Sequence, residues 1–192
     1  MSTKKILLLG KKKDEHCSKA VDFIKKNFED VTVYLGKWGD PLPEDIGWWD
    51  GDYIISYLSR WVVPEYLINK AKVAAINFHP ASPDYPGIGC NNFALYEDAK
   101  EYGVTCHHMA TKVDTGNIIA VKRFPVFQND DVGSLLLRTY DFQLILFYEI
   151  INNILKGEPL PSSDETWTRK PFSRKEFNKL SVIDPAMPKE EI

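Results

Sequence analysis

Three polar residues have the types and positions to carry chemistry. Asn77 and His79 stand two positions apart at the end of the strand-like run 73–78, so on a strand their side chains point to the same side. In an open parallel sheet, ligands bind in the crevice beyond the carboxyl ends of the strands. An amide and an imidazole placed there can donate hydrogen bonds or move a proton. Taken alone, such a pair is more often an ordinary solvent-facing strand end.

Asp114 strengthens the case for a site, because it opens an Asp-Thr-Gly turn. Gly116 in this turn is expected to take a positive φ, which lets the backbone come close to a ligand. The same tripeptide marks aspartic proteases, but this chain contains a single copy and lacks their β-rich pattern. Asp114 therefore joins Asn77 and His79 as a candidate site residue.

The first half of the chain alternates between strand-like apolar runs and segments of helical periodicity. The strand-like runs are 6–10, 31–35, 53–58 and 73–78, and the helical segments are 18–28 and 64–71. This alternation predicts an α/β fold, with a Rossmann-like, mostly parallel sheet and helices on both faces. Gly10 is followed by three lysines instead of the glycines of a G-x-G-x-x-G fingerprint. Binding of NAD or FAD is therefore disfavoured.

The second half predicts two further helices and a hairpin. A helix is expected from residue 91 or 92 to 102, capped by an asparagine and ended by Gly103. Residues 103–109 and 118–121 read as hairpin partners, and residues 131–156 as a long apolar helix ending at Gly157. Aromatic residues occupy more than one face of that helix, which favours a buried or subunit-facing position and predicts a homodimer.

The length of 192 residues fits one domain with an appendage. We expect a catalytic domain over 1–157 and, over 158–192, an extended tail packed on it. The isolated aromatic residues Trp167, Phe172 and Phe177 would anchor this tail. Two roles stay open for it, since it could wrap the domain for stability alone or help to form the substrate site.

Composition narrows the partners and the compartment. The net charge of -3, with no long basic run beyond residues 11–13, argues against nucleic acid. The three cysteines are widely spaced and form no metal-ligand grouping, which fits a reducing cytosol. The first apolar run is too short for a secretory signal or a membrane span. The sequence thus predicts a soluble, cytoplasmic protein with no metal and no membrane contact.

Four short motifs resemble a known family in order, spacing and residue type. They are Ile-Asn-Phe-His-Pro at 76–80, Tyr-Pro-Gly at 85–87, Gly-Val-Thr at 103–105 and Val-Asp-Thr-Gly at 113–116. Together they are similar to the formyltransferase domain shared by methionyl-tRNA formyltransferase, glycinamide ribonucleotide transformylase and nucleotide-sugar N-formyltransferases. The resemblance covers roughly residues 50–155. It implies the formyltransferase fold, with 10-formyltetrahydrofolate as the formyl donor.

The resemblance also implies that Asn77, His79 and Asp114 are the catalytic residues. An amine that attacks a formyl carbon creates a developing oxyanion, to which the Asn77 amide and a protonated His79 can donate. Asp114, directly or through water, can take the proton of the amine or hold His79 in the useful charge state. Which of His79 and Asp114 is the formal base stays open.

The family resemblance places the folate pocket along main chain past the third strand and beside the aspartate turn. The corresponding residues are Arg60, Trp61, Val62 and Val113. Apolar walls with backbone donors suit a flat pterin ring. Ordinary core packing is the alternative for Trp61 and Val62.

His107 and His108 are neighbours on a strand and face opposite sides, so they cannot both enter one site. With no other residues at metal-ligand spacing, the preferred interpretation is structural, with one histidine packed and the other exposed.

The tail favours one acceptor class within the family. The tail is short and not basic enough to replace the nucleic-acid-binding domain of methionyl-tRNA formyltransferases, so that subclass is disfavoured. Glycinamide ribonucleotide transformylases carry a Gly-Ser-Asn phosphate loop after the first strand, whereas lysines follow Gly10 here. Hydrolases that release formate from the same donor carry an extra amino-terminal regulatory domain, for which we expect no room in this sequence, so that subclass is disfavoured as well. Residues 167–171 resemble the arginine- and proline-containing segment of several nucleotide-sugar enzymes. An amino sugar carried on a nucleotide is therefore the expected acceptor. The alternatives are glycinamide ribonucleotide or another small amine, or a non-catalytic regulator that binds folate or nucleotide sugar.

Overall fold

The computed structural model describes residues 1–182 and 187–188, and these form one six-stranded sheet with helices packed on both faces. The strands are β1 (Ser2–Lys11), β2 (Phe28–Gly36), β3 (Gly51–Tyr57), β4 (Ala71–His79), β5 (Glu101–His108) and β6 (Ile118–Pro125). The helices are α1 (Glu15–Asn27), α2 (Glu65–Ile68), α3 (Cys90–Tyr96), α4 (Val132–Lys156) and α5 (Arg174–Leu180), and Glu44–Trp48 forms a 3-10 helix.

The sheet order is β2-β1-β3-β4-β5-β6, with β1 to β4 parallel and β5 and β6 antiparallel additions. The chain passes from β1 outward to β2 and then returns to β3 on the other side of β1. Open α/β sheets often bind ligands at such a reversal, but the cavity of this chain lies one strand further along, beyond β3 and β4. The prediction of a mostly parallel Rossmann-like sheet is confirmed.

Alternating side chains of the central strands fill two separate cores. On β1, Ile6 and Leu8 pack with α1 and α4 on one face, whereas Leu7 and Leu9 pack on the other face with the 3-10 helix and α2. Because both faces of the strand are covered, it reads as a continuous apolar run. The expected placement of helices on both faces is also confirmed.

The helix expected from residue 91 or 92 to 102 is wrong at both ends. Its cap is Gly89, at φ 72°, and no asparagine side chain caps it. It ends at Tyr96, and Tyr102, which is fully buried, pairs with Phe124 in the β5–β6 ladder instead. Burial of this aromatic side chain in a strand pair overrides the local helical pattern, a common outcome where tertiary packing competes with propensity.

The long helix α4 begins and ends as expected. Asp131 and Ser134 form a reciprocal capping box, and Gly157 closes the helix at φ 73°. The tail contains a helix that the sequence analysis did not predict: α5 begins with a second capping box between Ser173 and Glu176. The Ser-x-x-Glu spacing was a readable signal for this helix.

Candidate active site

The candidate site lies beyond the carboxyl ends of β3 and β4. A cavity of about 370 Å³ opens there, and Asn77 and His79 at the end of β4 both line it. His107 on the antiparallel strand β5 pairs directly with Asn77 in the β4–β5 register, so it reaches the same place. The expected common orientation of Asn77 and His79 is thus observed.

Asp114 lies between two buried histidines. Its Oδ2 is 3.3 Å from Nδ1 of His79, and its Oδ1 is 3.3 Å from Nε2 of His107. The Gly87 backbone N–H donates to the same Oδ2 at 2.9 Å. All three side chains are at least nine-tenths buried. We call Asn77, His79, His107 and Asp114 the polar cluster.

The other nitrogen of each imidazole is committed to a backbone carbonyl. Nε2 of His79 donates to the Tyr85 carbonyl oxygen at 3.0 Å, and Nδ1 of His107 donates to the His108 carbonyl oxygen at 2.8 Å. A carbonyl accepts but cannot donate, so these two nitrogens carry their hydrogens. The proton that can be gained or lost therefore sits on the nitrogen that faces Asp114.

The polar cluster keeps Asp114 ionised. Burial alone would raise the pKa of its carboxyl, but electrostatic attraction by His79, the hydrogen bond with His107 and the Gly87 N–H outweigh it. The net effect lowers the pKa below its ordinary value of 3.8. At neutral pH this carboxylate is an acceptor within reach of two imidazole rings.

The aspartate turn has a different backbone from the expected one. Asp114 itself takes the positive φ, at 48°, whereas Gly116 does not. Gly116 is needed for another reason, because a Cβ there would overlap the His108 carbonyl oxygen. The expected positive φ of Gly116 is therefore wrong. Asp114 adopts a backbone conformation that costs an L-residue about 1 kcal/mol or more, and such costs concentrate at functional sites.

The four expected folate-binding residues all line the same cavity. Val62 and Val113 are 70% and 47% exposed, so they are free to meet a ligand. Trp61 also packs against Gly36 and donates its indole N–H to the Asp40 carbonyl oxygen at 2.9 Å. Its role is thus partly structural. Arg60, together with Lys112, brings positive charge to the cavity.

Sequence reasoning missed His107, for which a structural role was preferred. The rule that adjacent strand residues face opposite sides holds, since His107 is 2% exposed and His108 is half-buried and not among the cavity residues. The missing step was the pairing of β5 with β4. It places His107 beside Asn77, whose amide nitrogen lies 3.0 Å from Nε2 of His107.

Among the described residues, no group of three His, Cys, Asp or Glu side chains is arranged to hold a metal ion. The same residues include no helix that is long and apolar enough to cross a membrane.

Comparison with known proteins identifies the family. Residues 45–151 match the formyl transferase family, so the chain belongs to it. The methionyl-tRNA formyltransferase of Levilactobacillus brevis is 28% identical over 134 residues, which cover 68% of this chain and 43% of that protein. The chain thus spans less than half the length of this curated relative.

Solved structures support the fold over nearly the whole chain. The formyltransferase PseJ of Anoxybacillus kamchatkensis, in complex with UDP-4,6-dideoxy-4-formamido-L-AltNAc and tetrahydrofolate, superimposes with a TM-score of 0.70 at 26% identity, covering 95% of this chain and 93% of that one. An N-formyltransferase of Helicobacter canadensis superimposes with a TM-score of 0.77 at 22% identity, covering 98% and 78% of the two chains. The formyltransferase fold predicted from the sequence is confirmed.

Proposed function

We propose that this protein transfers a formyl group from 10-formyltetrahydrofolate to the amine of an amino sugar carried on a nucleotide. The observation that carries the proposal is the buried, charged polar cluster at one wall of the cavity. Such a cluster is expensive to bury, and its place at a ligand-sized cavity supports a catalytic role.

The cavity fits the donor proposed for it. Val62 and Val113 present exposed apolar surface at its edge, and Val63, Ile68 and Met109 extend the apolar lining. Flat heteroaromatic rings bind between such side chains, with polar groups fixing their orientation. We propose Arg60, Trp61, Val62 and Val113 as the donor-binding residues.

Asn77 and His79 would stabilise the negative charge that develops on the formyl oxygen. When Nε2 of His107 is unprotonated it accepts one hydrogen of the Asn77 amide nitrogen, and the second hydrogen of that amide is then free for a substrate oxygen. Nδ1 of His79 is 3.3 Å from Asp114, which is longer than the 2.7–2.9 Å usual for a charge-assisted bond. A hydrogen held at that distance can be shared with a substrate oxygen.

The proton balance of the reaction involves Asp114. When the amine nitrogen bonds to the formyl carbon, it loses one proton, and the donor nitrogen gains one as its bond to that carbon breaks. The ionised Asp114 takes the proton of the amine directly or through water, or receives it by way of Nδ1 of His79. The same pair returns a proton to the leaving nitrogen.

The acceptor proposal rests on the similarity to PseJ, which covers both chains almost fully and was solved with a formylated nucleotide sugar. The positive side chain of Lys112 at the cavity would suit the phosphates of such a substrate.

We also propose the division into a catalytic domain over residues 1–157 and a tail over 158–192, as well as a homodimer in the cytoplasm. Packing of Phe172 on Phe93 and of Phe177 against Gly89 supports docking of the tail on the domain. The cysteines, Cys17, Cys90 and Cys106, are free and buried, in keeping with a reducing compartment.

Product masses after incubation with 10-formyltetrahydrofolate would test the acceptor. The panel contains dTDP- and UDP-linked amino sugars that differ in the position of the amine, together with glycinamide ribonucleotide and methionyl-tRNA. We expect a gain of one formyl mass on a nucleotide sugar alone. A gain on either of the other acceptors would overturn the acceptor class. Binding of 5-formyltetrahydrofolate without transfer to any acceptor would favour the non-catalytic regulator.

A further inference from the structure

Trp167 of the tail contacts the polar cluster from outside the cavity. Its ring centroid is 5.0 Å from that of His107 and 5.8 Å from that of His79, both in T-shaped geometry. Aromatic contacts of this kind stabilise a pair beyond the area they bury. Among the described residues, those that line the cavity do not include Trp167. It can therefore orient both imidazole rings without touching a ligand in the cavity.

Trp167 also holds the turn that carries Asp114. Its indole N–H donates to the Gly116 carbonyl oxygen at 2.8 Å. Asp114, two residues earlier, has φ 48°, and such a conformation persists only where the surroundings hold it. The close approach of Gly116 to the His108 carbonyl is one such restraint, and the indole hydrogen bond is a second. One tail residue thus restrains both imidazoles and the backbone of the carboxylate between them.

The tail residues that follow Trp167 bind the loop 80–89, which connects β4 to α3 and completes the polar cluster. This tail segment, residues 167–172, is called the strap. Three backbone hydrogen bonds join it to the loop: Thr168 N–H to the Pro83 carbonyl, Phe172 N–H to the Pro86 carbonyl, and Ile88 N–H to the Phe172 carbonyl. The same loop supplies the Tyr85 carbonyl to His79 and the Gly87 N–H to Asp114.

Side-chain contacts also hold the strap on the domain. Phe172 stacks on Phe93 of α3 with centroids 3.8 Å apart and planes within 6°. Arg169 forms a two-pronged pair with Glu97 at 2.7 and 3.0 Å. The ordered strap gives Trp167 a fixed position, which a free chain end would not provide.

We propose that Trp167 is a positioning residue of the catalytic site, and that the strap is part of the catalytic machinery as well as a structural wrap. This inference rests on the proposed function for its consequence in turnover, but its structural content is independent of any acceptor. It gives the tail a role beyond that of a wrap, exerted through His79, His107 and Asp114 and not as part of the cavity wall.

Three variants test the proposal. Trp167→Ala removes the ring contacts and the indole N–H, whereas Trp167→Phe keeps an aromatic ring but removes the N–H donor. Trp48→Ala is the matched control, because Trp48 is 89% exposed and does not line the cavity. Thermal unfolding checks that each variant folds, and fluorescence titration with 5-formyltetrahydrofolate measures the donor pocket.

The primary readout is nitrogen-15 NMR of the imidazole N–H groups of His79 and His107, which buried hydrogen bonds protect from solvent exchange. We expect Trp167→Ala to bind 5-formyltetrahydrofolate like the wild type but to lose or broaden these resonances. Trp167→Phe should give an intermediate result, and Trp48→Ala no change. Sharp, solvent-protected resonances in Trp167→Ala, displaced only by loss of the indole ring current, would overturn the proposal whether or not an acceptor is known. If Trp167→Ala does not fold, wild-type resonances in Trp167→Phe together with wild-type turnover would overturn it.

Turnover provides the second readout once the acceptor panel has given a substrate. We expect kcat of Trp167→Ala to fall by up to about a hundredfold, the scale of loss for a misplacement of about 1 Å, with little change in the KM for the donor. A change confined to the KM would contradict a positioning role. If the wild type transfers no formyl group to any acceptor, the proposed function fails, while the imidazole result still decides the structural part.

Discussion

Nδ1 of His79 lies 3.3 Å from Oδ2 of Asp114, and both side chains are almost completely buried. Since Nε2 of His79 is committed to the Tyr85 carbonyl, the pair can exchange a proton only between Nδ1 of His79 and Asp114. The low dielectric of a buried site strengthens charge interactions. The pair therefore joins an imidazole that can donate a proton to a carboxylate that can accept it, as the proposed formyl transfer requires.

Replacing His79 by Ala or Asn should lower kcat by about a hundredfold or more, as removal of an oxyanion donor does in other enzymes. Binding of 5-formyltetrahydrofolate should change little, because the proposed donor-binding residues remain. Steady-state kinetics and a binding titration measure the two effects. Near-normal turnover would show that His79 is not catalytic.

His107→Ala should also lower kcat, although the sequence alone gave His107 a structural role. The change leaves the Asn77 amide without this partner, so it should lose its fixed orientation, and Asp114 is then held through Oδ2 alone. His108→Ala is the matched control, since His108 lies on the opposite side of β5. Equal activity of the two variants would contradict a role for His107 in the site.

Asp114 should contribute to stability in a defined pH window. Its pKa is lower in the folded protein than its ordinary value of 3.8, so its contribution to the free energy of unfolding is fully present above about that pH. The contribution is lost as the pH falls through the folded-state pKa. Urea unfolding of the wild type and Asp114→Asn should be measured between neutral and acidic pH. The difference between their free energies of unfolding should shrink as the pH falls below about 3.8, the ordinary pKa of the carboxyl. A difference independent of pH would contradict a depressed pKa.

Self-association through α4 stays a prediction, but the aromatic residues on which it was based pack against residues of the same chain. Phe147 is fully buried, Phe142 packs on Phe124, and Tyr148 packs on Phe23. Leu137 and Ile145 remain as large apolar side chains of α4 exposed by 60% and 45%. Sedimentation velocity should show a dimer at micromolar concentration that Leu137→Glu with Ile145→Glu weakens. A wild-type monomer would refute the prediction.

The sequence predicted features that depend on local pattern. Continuous apolar runs identified the central strands because both of their faces are covered, and the i, i+2 spacing of Asn77 and His79 gave their common orientation. The signals at Asp131 and Gly157 gave the ends of α4. At the ends of α4, the determining contact lies within a few residues of the signal.

The failures involve contacts between segments distant in the chain. The α3 boundary depended on pairing of Tyr102 with Phe124, and the place of His107 depended on pairing of β5 with β4. Gly116 is required by its close approach to the His108 carbonyl and not by a positive φ, which the tripeptide alone does not show. Local periodicity contains no information on which strand will lie next to which.

The most direct test of the account follows the formyl carbon itself. The protein would be mixed with 10-formyltetrahydrofolate labelled with carbon-13 in the formyl group and with the nucleotide-linked amino sugar selected by the acceptor panel, and the product would be analysed by mass spectrometry. Asp114→Asn serves as the matched variant, because asparagine tolerates a positive φ and keeps a carbonyl oxygen for the Gly87 N–H while removing the charge. We predict labelled amide from the wild type, and only a small fraction of that rate from Asp114→Asn with donor binding retained. Equal rates of labelling by the two proteins across pH would contradict the account, leaving Asp114 with only its role in the turn.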